Sequence, residues 1–427
     1  MSNKPTFDPK CRLSAETPAG HQHYFGFHDV SPWSPDNSLV ALLRVPKDLK
    51  KLLCATDVAE VCLWDPEKDE PVPVGQTSAF NWQQGARLQW LPGKGRKLIV
   101  NDLKGGKPVT RAYDVVANQW SAGVPAAYSV HPLGVFGLAP DWYRLAKWWR
   151  DYSYDIATDG RHDVGEPGDL RRVDLETGEE NVVVPIAEVR ALCGQGAGAA
   201  GADFISHATF SPKGSRFCFM YRRFSEDNAL FSFFLACNAD GSDVRVLAKE
   251  KCSHFDWLDE DRVVIWTRKL PGQAAALRSG GWTKRFPFKQ AVQLLRILHP
   301  KLKQSLFAES YYEVDYRAPG TMKPVGAGVL EQDGHPMFTP DRRWMLTDTY
   351  VFEGHQPLIL YSMTSGKRYD VAQFPAHADF LNPVLKCDLH ARWDRSGTRI
   401  ALDSAHSGLR QLYVVDVSEF LSQKTSG

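Results

Sequence analysis

The chain lacks the marks of a secreted, membrane-spanning or nucleic-acid-binding protein. No apolar run approaches the ~20 residues of a membrane span. The opening Met1 to Phe7 has none of the hydrophobic stretch a signal peptide needs. A cytoplasmic location is therefore expected. The 51 basic and 50 acidic residues are mixed along the 427, for a net charge of +1. No like-charge block offers a nucleic-acid arm or a membrane-surface patch, so neither partner is expected. The eight cysteines are scattered without a C-x-x-C pair, which excludes a zinc ribbon or a thioredoxin-like motif. Cys218 and Cys237 sit in strand-like runs and read as small buried hydrophobes. There is no Gly-x-Ser-x-Gly elbow, and no residues are left over for the α/β domain of a prolyl-oligopeptidase-type enzyme. No linker-like boundary divides the chain, so residues 1–427 read as one domain.

What is present is a repeat. An aromatic or apolar residue, a short turn of Pro, Asp, Gly or Asn type, and an apolar strand recur together. Clear copies begin at Trp33, Phe210, Phe338 and Trp393, and weaker ones at Trp90, Val130 and Trp257. Strands are expected at 39–43, 97–101, 135–139, 217–221, 263–267, 344–347 and 399–402. The seven copies start 57, 40, 80, 47, 81 and 55 residues apart, against roughly 40–50 for a four-stranded blade. This predicts an all-β, seven-bladed β-propeller with insertions about 151–202 and 271–303. Radial closure removes the sheet edges that separate hairpins would leave open. The N-terminal strand around Lys10 to Leu13 is expected to pair with the last blade and close the ring.

The repeat also organises the histidines. His207, His254, His335 and His390 each lie three residues before a marker, Arg87 takes that place in the second copy, and His28 lies five before Trp33. Offsets of three and five share a parity, so on strands these residues face one way. The returning strands end in Arg44, Asp102, Arg222, Arg268, Asp348 and Asp403, with Tyr350 nearby. Convergence of both sets at one rim of the central channel is expected. Neutral imidazole is a common metal ligand, and a free histidine can act as a base near neutral pH. Arginine forks onto carboxylates. Three histidines with an oxygen donor suit Mn, Zn or Fe.

The blade pattern and histidine-rich mouth resemble the oligogalacturonate lyase and TolB-like propellers. That family holds its metal in a Gln-x-x-His-x-His arrangement, matched here by Gln332-Asp-Gly-His335-Pro-Met337. Met337 stands where the second histidine would be, so the resemblance requires His390 as the missing ligand. The resemblance implies a divalent metal, Mn first, at His254, Gln332, His335 and His390. It also implies His207 as the catalytic base and Arg222 as the arginine acting with it. His28, Arg44, Arg87, Arg268 and Tyr350 are then substrate-binding residues for an oligosaccharide. The activity implied is metal-assisted β-elimination on a uronic-acid-containing oligosaccharide. Two alternatives stay open. One is a propeller glycoside hydrolase using two carboxylates, such as Asp348 and Asp403, with Asp29 and Asp388 near by. The other is a non-catalytic binding or scaffold propeller using the segment from Gly280 to Leu298. No protein partner is otherwise indicated.

Overall fold

The computed structural model describes residues 4–68, 70–157, 168–194, 202–224, 229–269 and 309–425. Seven antiparallel sheets follow one another along the chain. Their first strands are Gln22–Tyr24, Gln89–Trp90, Ser129–Val130, Asp203–Phe210, Cys252–Trp257, Met337–Phe338 and Arg392–Trp393. First strands of neighbouring blades touch, for three and four, five and six, and six and seven. The blades therefore stand round one axis as a seven-bladed β-propeller.

The ring closes as the sequence suggests. The strand Arg12–Glu16 lies antiparallel to Gln411–Asp416 and becomes the fourth strand of blade seven. Thr6–Phe7 adds a fifth strand to the outside of blade six. The apolar cores lie between the blades, where each sheet presents an apolar face to the next. Every aromatic marker is buried. The Trp90 indole donates to the Pro32 carbonyl (2.8 Å), Trp257 to Thr209 (3.1 Å) and Trp393 to Met337 (3.3 Å). Each acceptor immediately precedes the marker of the preceding blade. These three markers thus serve as blade-to-blade latches as well as packing groups.

The first insertion is shorter than 151–202. Leu170–Asp174 and Glu180–Val184 are the third and fourth strands of blade three. A blade needs four strands, and the Asp174 to Gly178 turn joins these two. The inserted part instead lies before Leu170 and includes the helix Trp142–Trp148, capped by Asp141. The helix Ile186–Leu192 follows the blade. The second insertion, 271–303, falls between Arg262–Arg268 and Glu309–Asp315 of blade five and lies outside the described residues, as does the 280–298 segment. No described helix is long and apolar enough to cross a membrane.

Candidate functional site

Five histidines meet at the axis. The ring centroids of His254 and His335 are 4.1 Å apart, those of His335 and His390 4.4 Å, and those of His28 and His335 5.1 Å. Phe27 sits among them, 4.5 Å from His28, 5.1 Å from His390 and 5.4 Å from His207. His207 also packs against Tyr152, with ring centroids 4.8 Å apart and the rings tilted by 57°. All five histidines are buried.

Strand parity alone does not bring them together. His335 and His390 lie just before their strands begin. The ladders of blades four and five slip register between Ser206 and Thr209 and between Cys252 and Phe255, across His207 and His254. A bulge re-aims a side chain that a regular strand would send elsewhere. His207, His390 and Arg87 adopt φ of 56°, 41° and 52°. Such left-handed non-glycine backbone costs about 1–3 kcal/mol and gathers at functional sites. Two glycines make room for the cluster. A Cβ on Gly334 would collide with the Asp348 carbonyl. At Gly26, with φ of 130°, it would stand 2.6 Å from the Gln84 backbone.

Each histidine is fixed by its surroundings. His335 Nδ1 faces Asp348 Oδ1 at 2.7 Å, and the same oxygen accepts the His335 backbone N–H. His390 Nδ1 donates to the Gly26 carbonyl at 2.7 Å and leaves Nε2 without a partner among the described residues. His254 Nδ1 lies 3.1 Å from Asp333 Oδ1, and its Nε2 lies 3.4 Å from the Tyr350 hydroxyl. His207 Nδ1 faces Ser206 Oγ at 2.9 Å. Burial, reinforced by neighbouring cations and imidazoles, holds His28, His207 and His390 well below the ordinary histidine pKa and lowers His254 too. His335 shifts the other way: burial opposes its charge, but Asp348 and then Asp388 outweigh it.

Asp388 joins the group. Donor atoms of His335, Asp388 and His390 lie within 4.8 Å of one another. Asp388 Oδ2 pairs with Lys386 Nζ at 2.8 Å, while its buried Oδ1 has no partner among the described residues. Unclaimed lone pairs on a buried carboxylate and imidazole are what a divalent cation would complete, so these residues fit a metal.

Arg222 lies near His207. It is 8% exposed, and its Nε and Nη1 have no hydrogen-bond partner among the described residues. Its Nη2 meets Met220 Sδ at 3.0 Å, and the guanidinium lies 5.2 Å from the centre of the Trp149 ring. Its charge also acts on His207 and Tyr152.

Other expected site residues lie elsewhere or are already engaged. Arg87 is fully buried but forks onto Asp29 (2.8 and 3.0 Å), donates to the Tyr128 carbonyl and stacks on that ring. It braces the mouth and has no fork left for substrate. Arg44 pairs with Glu60 and Arg268 with Glu309, both at 2.6 Å. Each acid stands directly opposite its arginine in the strand register and captures it as a cross-strand pair. Asp102 is held by Arg111. Asp403 is held by Arg392 at 2.9 Å and by the Phe25 N–H, so it is bound into the frame rather than free as half of a hydrolase pair. Gln332 lines an outer groove with Arg368 and Gln373. Met337 Sδ accepts the Trp393 N–H at 3.3 Å. Tyr350 borders the cluster, with Lys386 Nζ 3.6 Å from its ring centre.

Three residues of the site carry no ligand or substrate role in the sequence reading. Asp388 and Asp333 each precede a cluster histidine by two residues, a spacing that could have flagged them. Tyr152 occupies no repeat position and offers no such signal.

No protein-family profile and no curated protein sequence matches the chain. Solved structures do. An oligogalacturonate lyase from Vibrio parahaemolyticus is 12% identical with a TM-score of 0.59, over 97% of this chain and 96% of that one. An oligogalacturonate lyase in complex with manganese is 14% identical with a TM-score of 0.60, over 97% of each. TolB from Acinetobacter baumannii is more distant, at 11% identity and a TM-score of 0.39, over 80% of this chain and 64% of that one. The chain has the seven-bladed fold of the oligogalacturonate lyases over nearly its whole length.

Proposed function

We propose that the protein is a metal-assisted lyase that cleaves a uronic-acid-containing oligosaccharide by β-elimination. The observation that carries this is Arg222: a buried guanidinium whose Nε and Nη1 meet no acceptor among the described residues, with its charge acting on His207 of the histidine cluster. A fork of this kind suits a substrate carboxylate.

His335, Asp388 and His390 would hold the divalent cation, with manganese first and zinc or iron next. When bound, it would supply positive charge to a carboxylate and its enediolate-like form. Arg222 orients the uronate through its Nε/Nη2 edge, where two parallel N–H bonds reach one carboxylate and Nη2 exchanges the Met220 thioether for a carboxylate oxygen. His207 is kept neutral by burial and can accept a proton. Donation from Nδ1 to Ser206 Oγ leaves its Nε2 lone pair for the proton on the carbon next to the carboxylate. The electron pair of that C–H bond forms the new C=C bond. The glycosidic C–O bond at the β carbon breaks, and its electrons leave with the departing sugar oxygen. The Tyr350 hydroxyl borders the same space and would contact the sugar.

The test is metal content by elemental mass spectrometry, on the wild type and on His335→Ala. It is followed by a screen of uronate oligosaccharides for the absorbance of an unsaturated product. About one equivalent of metal, lost in the variant, together with new absorbance supports the reading. No metal and no unsaturated product overturns it.

A further inference from the structure

We infer, resting on the lyase reading above, that Tyr152 and Trp149 are positioning residues: their rings hold the base His207 and the fork Arg222, and one strap of chain delivers both.

The strap, residues 149–155, follows the inserted helix Trp142–Trp148 of blade three. It is pinned to three other blades. In blade one, the Leu53 carbonyl accepts from Arg150 at 2.8 Å, and the Ala55 N–H donates to Asp155 Oδ2 at 3.0 Å. Asn81, between blades one and two, donates to the Ser153 carbonyl at 3.0 Å, and Asn101 of blade two to the Tyr154 hydroxyl at 2.9 Å. In blade four, Arg144 of the helix donates to the carbonyl and carboxylate of Asp203, where the first strand begins. Ser153 Oγ ties the strap back to the Trp142 carbonyl at 2.8 Å.

The two rings meet the two groups that the reaction needs. Tyr152 packs on His207 at 4.8 Å, with Phe27 at 5.4 Å and Tyr128 at 6.2 Å on other sides of the imidazole. His335 is held by a carboxylate and His390 by a carbonyl, but His207 meets a serine hydroxyl, which rotates. The aromatic cage supplies the restraint that the hydroxyl does not. Trp149 lies 5.2 Å from the Arg222 guanidinium, and across the ladder Arg222 faces Ser232 rather than an acid. An acid in either place would orient the group but would also draw a proton onto His207 or compete with the substrate carboxylate for Arg222. A ring orients without adding charge. Trp149 and Tyr152 touch each other, with centroids 5.8 Å apart, so the two restraints move as one. Both rings are half-buried, unlike the blade markers, and border the mouth rather than fill a core.

The test is steady-state kinetics of the manganese-loaded enzyme on a uronate oligosaccharide. Wild type, Tyr152→Leu, Tyr152→Phe and Trp149→Leu are compared, with Tm and manganese affinity measured on each. Tyr152→Leu should lower kcat ~100-fold with little change in KM, the cost of a reacting group displaced by about 1 Å. Tyr152→Phe keeps the ring and should recover the rate. Trp149→Leu should raise KM ~2–30-fold with kcat little changed, the worth of a cation–π contact. Manganese affinity should match wild type in all three. If Tyr152→Leu keeps the wild-type kcat, or Tyr152→Phe fails as Tyr152→Leu does, the inference falls and the lyase reading stands. A lower Tm with kcat and KM intact makes the strap structural and also overturns it. If wild type forms no unsaturated product, both fall. Should Tyr152→Leu not fold, Trp149→Leu decides: a raised KM with kcat kept supports the positioning role, and unchanged constants overturn it.

Discussion

Replacing Arg222 with methionine should make the protein more stable and destroy its activity. The side chain is buried with Nε and Nη1 unpaired. A buried unsatisfied donor costs about 1–3 kcal/mol, more when charged. The Trp149 contact at 5.2 Å returns about 0.5–2 kcal/mol, and the shorter methionine leaves some empty volume. The balance favours the variant by about 1–4 kcal/mol, the range found when buried ions give way to apolar groups. With roughly 2–4 °C per kcal/mol for chains of 150–250 residues, and less for a longer one, Tm should rise by a few degrees. Scanning calorimetry of metal-free, ligand-free protein at a fixed scan rate measures this. Losing two charge-assisted bonds to a carboxylate, at about 1.5–3 kcal/mol each, should cut kcat/KM by about 10²–10⁴. Arg222→Lys keeps the charge without the fork and should lie between. An Arg222→Met protein that melts below wild type with kcat/KM intact would refute the assignment of this arginine to a substrate anion.

Asp348→Asn removes the charge facing His335 Nδ1 and should weaken manganese binding ~10–100-fold, read from a binding isotherm. Stability of the metal-free protein should fall as pH drops from 7 to 5. His28, His207, His254 and His390 have folded pKa values below the ordinary 6.5, so the unfolded chain takes up protons first and stability declines below that pH. His335, shifted upward, opposes this: its contribution is present below pH 6.5 and is lost as pH rises through its folded pKa. Four groups outweigh one, and a melting temperature that rises on acidification would contradict the sum. Gly334→Ala forces the His335 segment off the Asp348 carbonyl, so Tm and metal affinity should drop together. Removing residues 1–16 strips the fourth strand from blade seven and exposes an edge; a lower Tm and aggregation, by calorimetry and light scattering, are expected.

Most of the frame is legible in the sequence because it rests on local chemistry repeated seven times. A marker, a turn and an apolar strand recur wherever a blade begins. The gathering of His207, His254, His335 and His390 follows from their equal offsets. The roles of the charged residues are less legible, because they depend on register between strands. Arg44 and Arg268 end their strands as Arg222 does. Yet only Arg222 lacks an acid across the ladder: Arg44 faces Glu60, Arg268 faces Glu309, and Arg222 faces Ser232. Arg87 carries its histidine-equivalent position into the mouth but is claimed there by Asp29. The bulges and left-handed residues that aim the histidines are tertiary features without a composition of their own.

Closure of the ring has a consequence for how the protein is made. Arg12 meets Asp416 across 404 positions of chain, and His390 meets Gly26 across 364. At about 5–20 residues per second, a ribosome needs roughly 20–80 s to synthesise that interval. Throughout it the first strand has no blade to join, and blade one lacks the neighbour that completes the mouth. The six earlier blades can form as they emerge. The site itself cannot exist on any nascent chain that stops before blade seven, so its assembly coincides with the last and longest-range contact the molecule makes.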